Sequence, residues 1–113
     1  MKLYKNKNPR KFIVGHKHKL TISHVASLKL KSNEQITFLD SNNNEYDIVK
    51  KSWGFYATPS VNDRLKRNKY KTAIVKNKKN QIYVMIVKIN YLTKFKQYLK
   101  KHENKLMYWL DEK

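Results

Sequence analysis

The sequence predicts a small α+β protein, built on a mainly antiparallel sheet of five to six strands with two helices on one face. Three observations carry this. At 113 residues the chain is long enough for one core, because a domain of that size buries roughly two thirds of the surface its unfolded chain exposes. Short stretches of period-2 alternation recur between polar turns, which is the pattern of strands with one wet face. Two stretches of the second half carry helical spacing instead, around Val61 and Leu65 and again at Leu92, Phe95 and Leu99.

The elements follow in order. Met1 to Lys19 is rich in lysine, asparagine and histidine, with Phe12, Ile13 and Val14 as its one apolar cluster. It reads as a basic flexible arm, residues 1–19, ahead of a single α+β domain, residues 20–113. From His24 to Leu30, Ala26, Leu28 and Leu30 alternate with Ser27 and Lys29. Gln35 to Asp40 and Tyr46 to Lys51 are two further strands, separated by the turn-like run Ser41 to Asn44, and the three together suggest an antiparallel meander. Thr58 followed by Pro59 is a helix start, since threonine caps free N–H groups and proline suits the first helical position. Thr72 to Lys76 and Gln81 to Lys88 form a hairpin around Asn77 to Asn80, and the second strand is apolar on both faces, as in the middle of a covered sheet. Asn90 is expected to cap the second helix, and Leu106 to Leu110 to pair beside the hairpin.

Composition narrows the function classes. The chain has no cysteine, so disulfide frameworks, thiolate zinc sites and cysteine nucleophiles are excluded and a reducing compartment fits. Its longest apolar run, around Ile82 to Val87, is far shorter than the roughly 20 residues that span a bilayer, and no secretory signal is recognisable at the N-terminus. A cytoplasmic protein is expected. The formal charge of +18 points to a polyanionic partner, because lysines displace counterions condensed on phosphates. Of the 26 basic residues only Arg10, Arg64 and Arg67 are arginine, and asparagine is abundant. Both lysine and asparagine are supplied by A+T-rich codons, so mutational bias is a second source of this charge. Scarce arginine also disfavours reading guanine edges. The charge is unevenly spread: residues 1–33 contain nine basic residues and no acid, residues 34–63 are net acidic, and residues 64–113 are again strongly basic.

Two groups of candidate binding residues emerge. In the first, Trp53, Phe55 and Tyr56 surround Gly54 and run into the expected helix start at Thr58, with Ser60, Asn62 and Arg64 beyond. A helix N-terminus presents unpaired N–H groups to an anion, and Arg64 could close a fork on a phosphate or carboxylate held there, so Trp53, Tyr56, Thr58, Ser60, Asn62 and Arg64 form a candidate ligand site. The plainer alternative is that Thr58 only caps, the rings fill the core and Arg64 pairs with a nearby acid. The second group is the basic one. Lys5, Lys7, Arg10 and Lys11 in the arm and Lys94, Lys96, Lys100 and Lys101 on the second helix are suited to a phosphate backbone; a solvated face is the alternative.

His16, His18 and His24 lie within 33 residues that contain no carboxylate, and His-x-His spacing alone does not make a metal site, so neither a metal nor a cofactor is expected. Nothing resembles a nucleophile elbow, a P-loop or a dinucleotide fingerprint. The reading leans away from an enzyme.

The run Trp53 to Ser60, then Asn62, Arg64, Leu65 and Lys66, Thr72 to Lys76, Tyr83 to Met85 and Trp109 to Glu112 resembles small uncharacterised bacterial proteins associated with surface-glycan biosynthesis genes. The resemblance spans residues 46–112 and implies a setting without implying a chemistry. The leading expectation is a non-enzymatic binding or accessory module whose basic surface meets a polyanion, nucleic acid foremost; a protein partner also fits. The alternative is an accessory protein of surface-glycan or nucleotide-sugar biosynthesis that holds an acidic sugar or sugar phosphate at the Thr58 helix start.

Overall fold

The computed structural model describes residues 1–15 and 19–113, which form eight strands and two α-helices. The strands are β1 (Lys2–Val14), β2 (Leu20–Lys29), β3 (Gln35–Leu39), β4 (Glu45–Lys51), β5 (Gly54–Ala57), β6 (Tyr70–Lys76), β7 (Ile82–Lys88) and β8 (Lys105–Trp109). The helices are the single turn α1 (Arg64–Arg67) and α2 (Leu92–Lys101). All pairings are antiparallel, in three sheets ordered β1-β2, β3-β4-β5 and β7-β6-β8. The mainly antiparallel α+β character is as expected, whereas the single sheet is not. No ladder crosses Thr58–Pro59, and the chain divides there into two compact units, Met1–Thr58 and Pro59–Lys113.

In the first unit the segment expected as a flexible arm is instead largely strand β1. Leu3 faces Leu28, Phe12 faces Ile22 and Val14 faces Leu20, and such apolar cross-strand pairs are what hold a ribbon together. The alternation is hidden in the sequence by a bulge. Between Lys5↔Ala26 and Arg10↔His24, β1 advances five residues while β2 advances two, an odd excess that moves the apolar positions from odd to even numbers. Pro9 lies inside this irregularity, where a missing N–H is tolerated. The Asn6 amide donates to the His24 carbonyl at 2.6 Å, supplying a donor that the interrupted ladder lacks. Because β2 pairs with β1, the meander consists of β3, β4 and a third strand, β5, that the sequence reading did not foresee.

In the second unit the sheet is centred on β6, with Thr72, Ala73 and Val75 buried on its two faces. Val87 of β7 and Leu99 of α2 join Ala73 and Val75 in the core, and Met85, Leu92, Phe95, Leu106 and Trp109 pack around them. Leu92, Phe95 and Leu99 form one stripe of α2, as their spacing predicts; the Phe95 and Trp109 rings lie 5.9 Å apart.

The strand expected at the sheet centre, β7, lies at an edge, because β8 returns to the far side of β6; Ile82, Tyr83 and Val84 are exposed. Asn90 sits inside a 3-10 turn, Ile89–Tyr91, and α2 starts at Leu92 with no side-chain cap. The helix expected from Thr58 is reduced to α1, because the Thr58 N–H donates to the Asp47 carbonyl at 3.0 Å and its hydroxyl to the Asp47 carboxylate at 3.1 Å. Thr58 is thereby held to β4 in extended continuation of β5 and is not free to cap. The expected pair of helices is thus present only in part, as one single turn and one ten-residue helix.

Candidate functional site

The ribbon of β1 and β2 has two dissimilar faces. Directly paired residues share a face, so Leu3, Phe12, Val14, Leu20, Ile22, His24, Ala26 and Leu28 lie on one side together with Lys5 and Arg10. The other side carries Lys2, Tyr4, Lys11, Ile13, Thr21, Ser23, Val25, Ser27 and Lys29, all exposed. It is a strip of ammonium groups and hydroxyls, interrupted by the exposed apolar Ile13 and Val25, with no acid. Of the residues singled out from sequence, Lys11 belongs to this strip and Lys7 is exposed within the bulge, while Lys5 and Arg10 emerge on the opposite face. The Arg10 guanidinium lies over the Phe12 ring at 5.3 Å, which orients it without using its hydrogen-bond donors. The ribbon is anchored at its start: the Met1 ammonium pairs with the Glu34 carboxylate at 3.1 Å, and Glu34 also accepts the Lys31 N–H at 2.6 Å. The Lys31 amide and then the N-terminal ammonium hold the Glu34 carboxyl below its usual range.

The aromatic segment falls on the β4–β5 hairpin. Its connection is the pair Ser52–Trp53, since Lys51 pairs with Gly54, and Gly54 has φ +146°, a backbone state that side chains disfavour. Trp53 is 69% exposed, Phe55 65% and Tyr56 44%; the plain alternative in which these rings fill the core is overturned. Trp53 and Tyr56 stack with their planes 17° apart and centroids separated by 6.1 Å. Phe55 is paired with Lys50, whose ammonium lies 5.4 Å from its ring. Thr58, occupied with Asp47, presents no free hydroxyl proton.

Ser60, Asn62 and Arg64 belong to the second unit. The Ser60 hydroxyl accepts the Arg64 N–H at 2.9 Å and its carbonyl accepts the Leu65 N–H at 3.0 Å, so Ser60 closes the turn that enters α1. Asn62 is exposed and Arg64 half-buried. The six residues expected around one ligand are thus divided between the two compact units, and the helix start that was to organise them is absent.

On α2, Lys94, Lys96, Lys100 and Lys101 are exposed, and the helix carries no acid. Lys96 and Lys100 are four residues apart, a like-charge spacing that destabilises a helix by about 0.2–0.5 kcal/mol. Lys94 lies over the Tyr91 ring at 5.9 Å.

One charged cluster was not foreseen. Asp111, 4% exposed, accepts the Thr72 N–H at 2.8 Å and the Lys71 ammonium at 3.0 Å; Lys71 reaches Glu112 at 2.6 Å and lies 4.9 Å over the Trp109 ring. A basic residue in a central strand, followed much later by paired acids at the chain end, was the available signal. The other buried carboxylate, Asp47, accepts the Thr37 hydroxyl at 2.6 Å and that of Thr58. Both carboxylates are occupied by donors of the fold itself.

Among the described residues no group of three or more histidines and carboxylates is placed to hold a metal, and no helix is long and apolar enough to cross a membrane. His24 is hydrogen-bonded to Ser27 and packs beside Asn6, whereas His16 and His18 lie outside the described residues. No protein-family model, curated protein or solved structure matches the chain.

Proposed function

We propose that the protein is a non-enzymatic nucleic-acid-binding module that contacts the phosphate backbone through the exposed face of the β1–β2 ribbon. The supporting observation is the folding of the acid-free N-terminal third into a ribbon with Lys2, Lys11 and Lys29 on its wet face among Tyr4, Thr21, Ser23 and Ser27. Lysines supply the counterion-releasing contacts, hydroxyls add hydrogen bonds to phosphate oxygens, and a two-stranded ribbon has dimensions that a nucleic-acid groove admits. The lysines of α2 form a second basic surface suited to the same partner. Scarce arginine supports binding that tracks the backbone rather than reading guanines. A reducing cytoplasm suits a cysteine-free chain of this kind.

The test is the salt dependence of binding to a labelled 20-mer DNA, measured by fluorescence anisotropy. Affinity should fall steeply between 50 and 200 mM salt, and replacing Lys2, Lys11 and Lys29 together by Gln should make the log–log slope shallower by about 2–3. An unchanged slope would remove the ribbon from the interface, and no binding at 50 mM salt would remove the function.

A second reading, an accessory protein of surface-glycan or nucleotide-sugar biosynthesis, draws on the exposed Trp53–Tyr56 pair, since a ring face also suits a sugar. It loses its original seat, because Thr58 does not begin a helix. Saturable binding of a sugar phosphate that is abolished in Trp53→Ala would favour it; a panel of sugar phosphates that gives no binding would retire it.

A further inference from the structure

We infer that the first unit selects single-stranded over double-stranded nucleic acid, by stacking an unpaired base on the Trp53–Tyr56 ring pair. This rests on the nucleic-acid reading above and adds to it a recognition element and a strand preference.

The position of the rings is the starting point. Trp53 occupies the tip of a two-residue hairpin connection, a place where small polar residues and glycine ordinarily serve the backbone. There it contributes nothing to the core of its unit, and it is 69% exposed. Gly54, at φ +146°, links it to β5 in a backbone state that lets Trp53 and Tyr56, three residues apart, bring their rings within 17° of parallel. The two rings together form a platform that is partly ordered before any ligand arrives, and pre-ordering lowers the entropy lost on binding.

Charge and ring geometry narrow the occupant. The same unit carries the acid-free basic segment, so a polyanion is the complementary partner. In a duplex the base faces are already stacked on one another and unavailable, whereas a single strand offers them. Base–aromatic stacking tolerates any sequence, consistent with a surface poor in arginine. Sugar rings of an acidic polysaccharide also offer flat faces; nucleobases are favoured because they expose two π-faces to a near-parallel aromatic pair.

The experiment compares affinities for labelled dT20, for the dT20·dA20 duplex and for hyaluronate, in the parent, Trp53→Ala, Tyr56→Ala and Trp53→Phe. Thermal unfolding of each variant confirms that the exposed substitutions leave the fold intact. The parent should prefer dT20. Trp53→Ala should lose about 5- to 150-fold in affinity for dT20, with duplex affinity and salt slope unchanged, and Trp53→Phe should recover part of the loss. Equal losses on single strand and duplex, no loss on either, or a parent that prefers duplex would overturn the inference while leaving the basic-ribbon reading in place. Hyaluronate bound as tightly as dT20, with the same dependence on Trp53, would reassign the platform to sugars. A parent that binds no polyanion at low salt would defeat the nucleic-acid reading itself.

Discussion

Asp111 is the residue whose replacement should cost the second unit most for a single polar group. The β6–β8 ladder runs to Ala73↔Trp109, after which the chain leaves the strand for the 3-10 turn Leu110–Glu112. The Thr72 N–H would then point at nothing, and the Asp111 carboxylate takes the place of the missing strand carbonyl at 2.8 Å. Its other oxygen is held by Lys71, which is itself only 19% exposed. Asp111→Ala removes one of the two charge partners of a half-buried ammonium and orphans a buried amide. Leaving a buried amide unsatisfied costs about 1–3 kcal/mol; Glu112 still reaches Lys71, so the ammonium adds little and about 2–3 kcal/mol is expected. Asp111→Asn keeps an acceptor for Thr72 and should cost about 1–2 kcal/mol. The assay is urea unfolding of the full chain in a Trp53→Phe background, where Trp109 beside Lys71 is the remaining tryptophan and reports on the second unit. A midpoint unchanged to within 0.5 kcal/mol in Asp111→Ala would refute the reasoning.

The same cluster fixes a pH dependence. Burial pushes the Asp111 carboxyl up, but the Thr72 amide and the Lys71 ammonium outweigh it and leave the group below its ordinary value. A carboxyl lowered by folding contributes stability that is fully present above its unfolded value, about 3.9, and is lost as pH falls through the lower folded value. Lys71 is raised, chiefly by its hydrogen bond to Glu112, so its contribution is complete below its unfolded value and is lost as pH rises through the raised one. The stability difference between the parent and Asp111→Asn should therefore be flat from about pH 5 to 10 and shrink on the acid side below about pH 4.

Other perturbations test the packing directly. Leu99→Ala should destabilise the second unit by about 3 kcal/mol in urea unfolding, since Leu99, 6% exposed, is the member of the α2 stripe that enters the core with Ala73 and Val75; a loss below 1 kcal/mol would mean that α2 is not seated on β6. Gly54→Ala should cost about 1–3 kcal/mol through backbone strain alone, because a Cβ there meets nothing within 4 Å, and faster amide exchange across β4 and β5 would register it. Val84→Lys places a charge on the exposed apolar edge strand β7; it should reduce concentration-dependent association in light scattering and change stability by less than about 0.5 kcal/mol.

The strands bounded by clear turns were legible from sequence. β3 and β4 appear where their alternation puts them, the β6–β7 hairpin and β8 where short apolar runs flank the asparagine turn and the second helix, and the α2 stripe follows from Leu92, Phe95 and Leu99. What stayed hidden has physical causes. β1 lost its periodicity to a bulge of odd excess, so no window across Lys5 to Arg10 shows a strand. The Thr58–Pro59 pair offered a strong local helix signal, yet Asp47, eleven residues earlier, took the threonine hydroxyl on its buried carboxylate and the threonine amide on its backbone carbonyl; a tertiary partner outweighed propensity. An unbroken apolar run does not distinguish a central strand from an edge strand, and β6, with its small Thr72 and Ala73, took the centre instead of β7. Of the candidate site, the aromatic cluster could be named but not its exposure, because exposed and buried rings look alike in a sequence.

The disposition of the acids bears on whether the positive charge is only a by-product of composition. Glu34 binds the N-terminal ammonium and the Lys31 amide, Asp40 caps the turn amides of Asn42 and Asn44, and Asp47 takes two threonine hydroxyls. Asp63 holds Arg67, Glu103 holds Lys78, and Asp111 and Glu112 share Lys71. Of the eight acids in the chain, these seven are engaged in fixing local structure. Mutational bias would account for lysine outnumbering arginine, but not for this allocation, since a surface selected only for solubility intersperses both signs. With the carboxylates committed to turns and anchors, the lysines of the ribbon and of α2 face solvent with little compensating charge, at a cost in mutual repulsion that falls hardest at low ionic strength. A polyanion laid along either surface would relieve that repulsion in addition to its own attraction, so under the proposed function the arrangement that weakens the free protein would strengthen its complex.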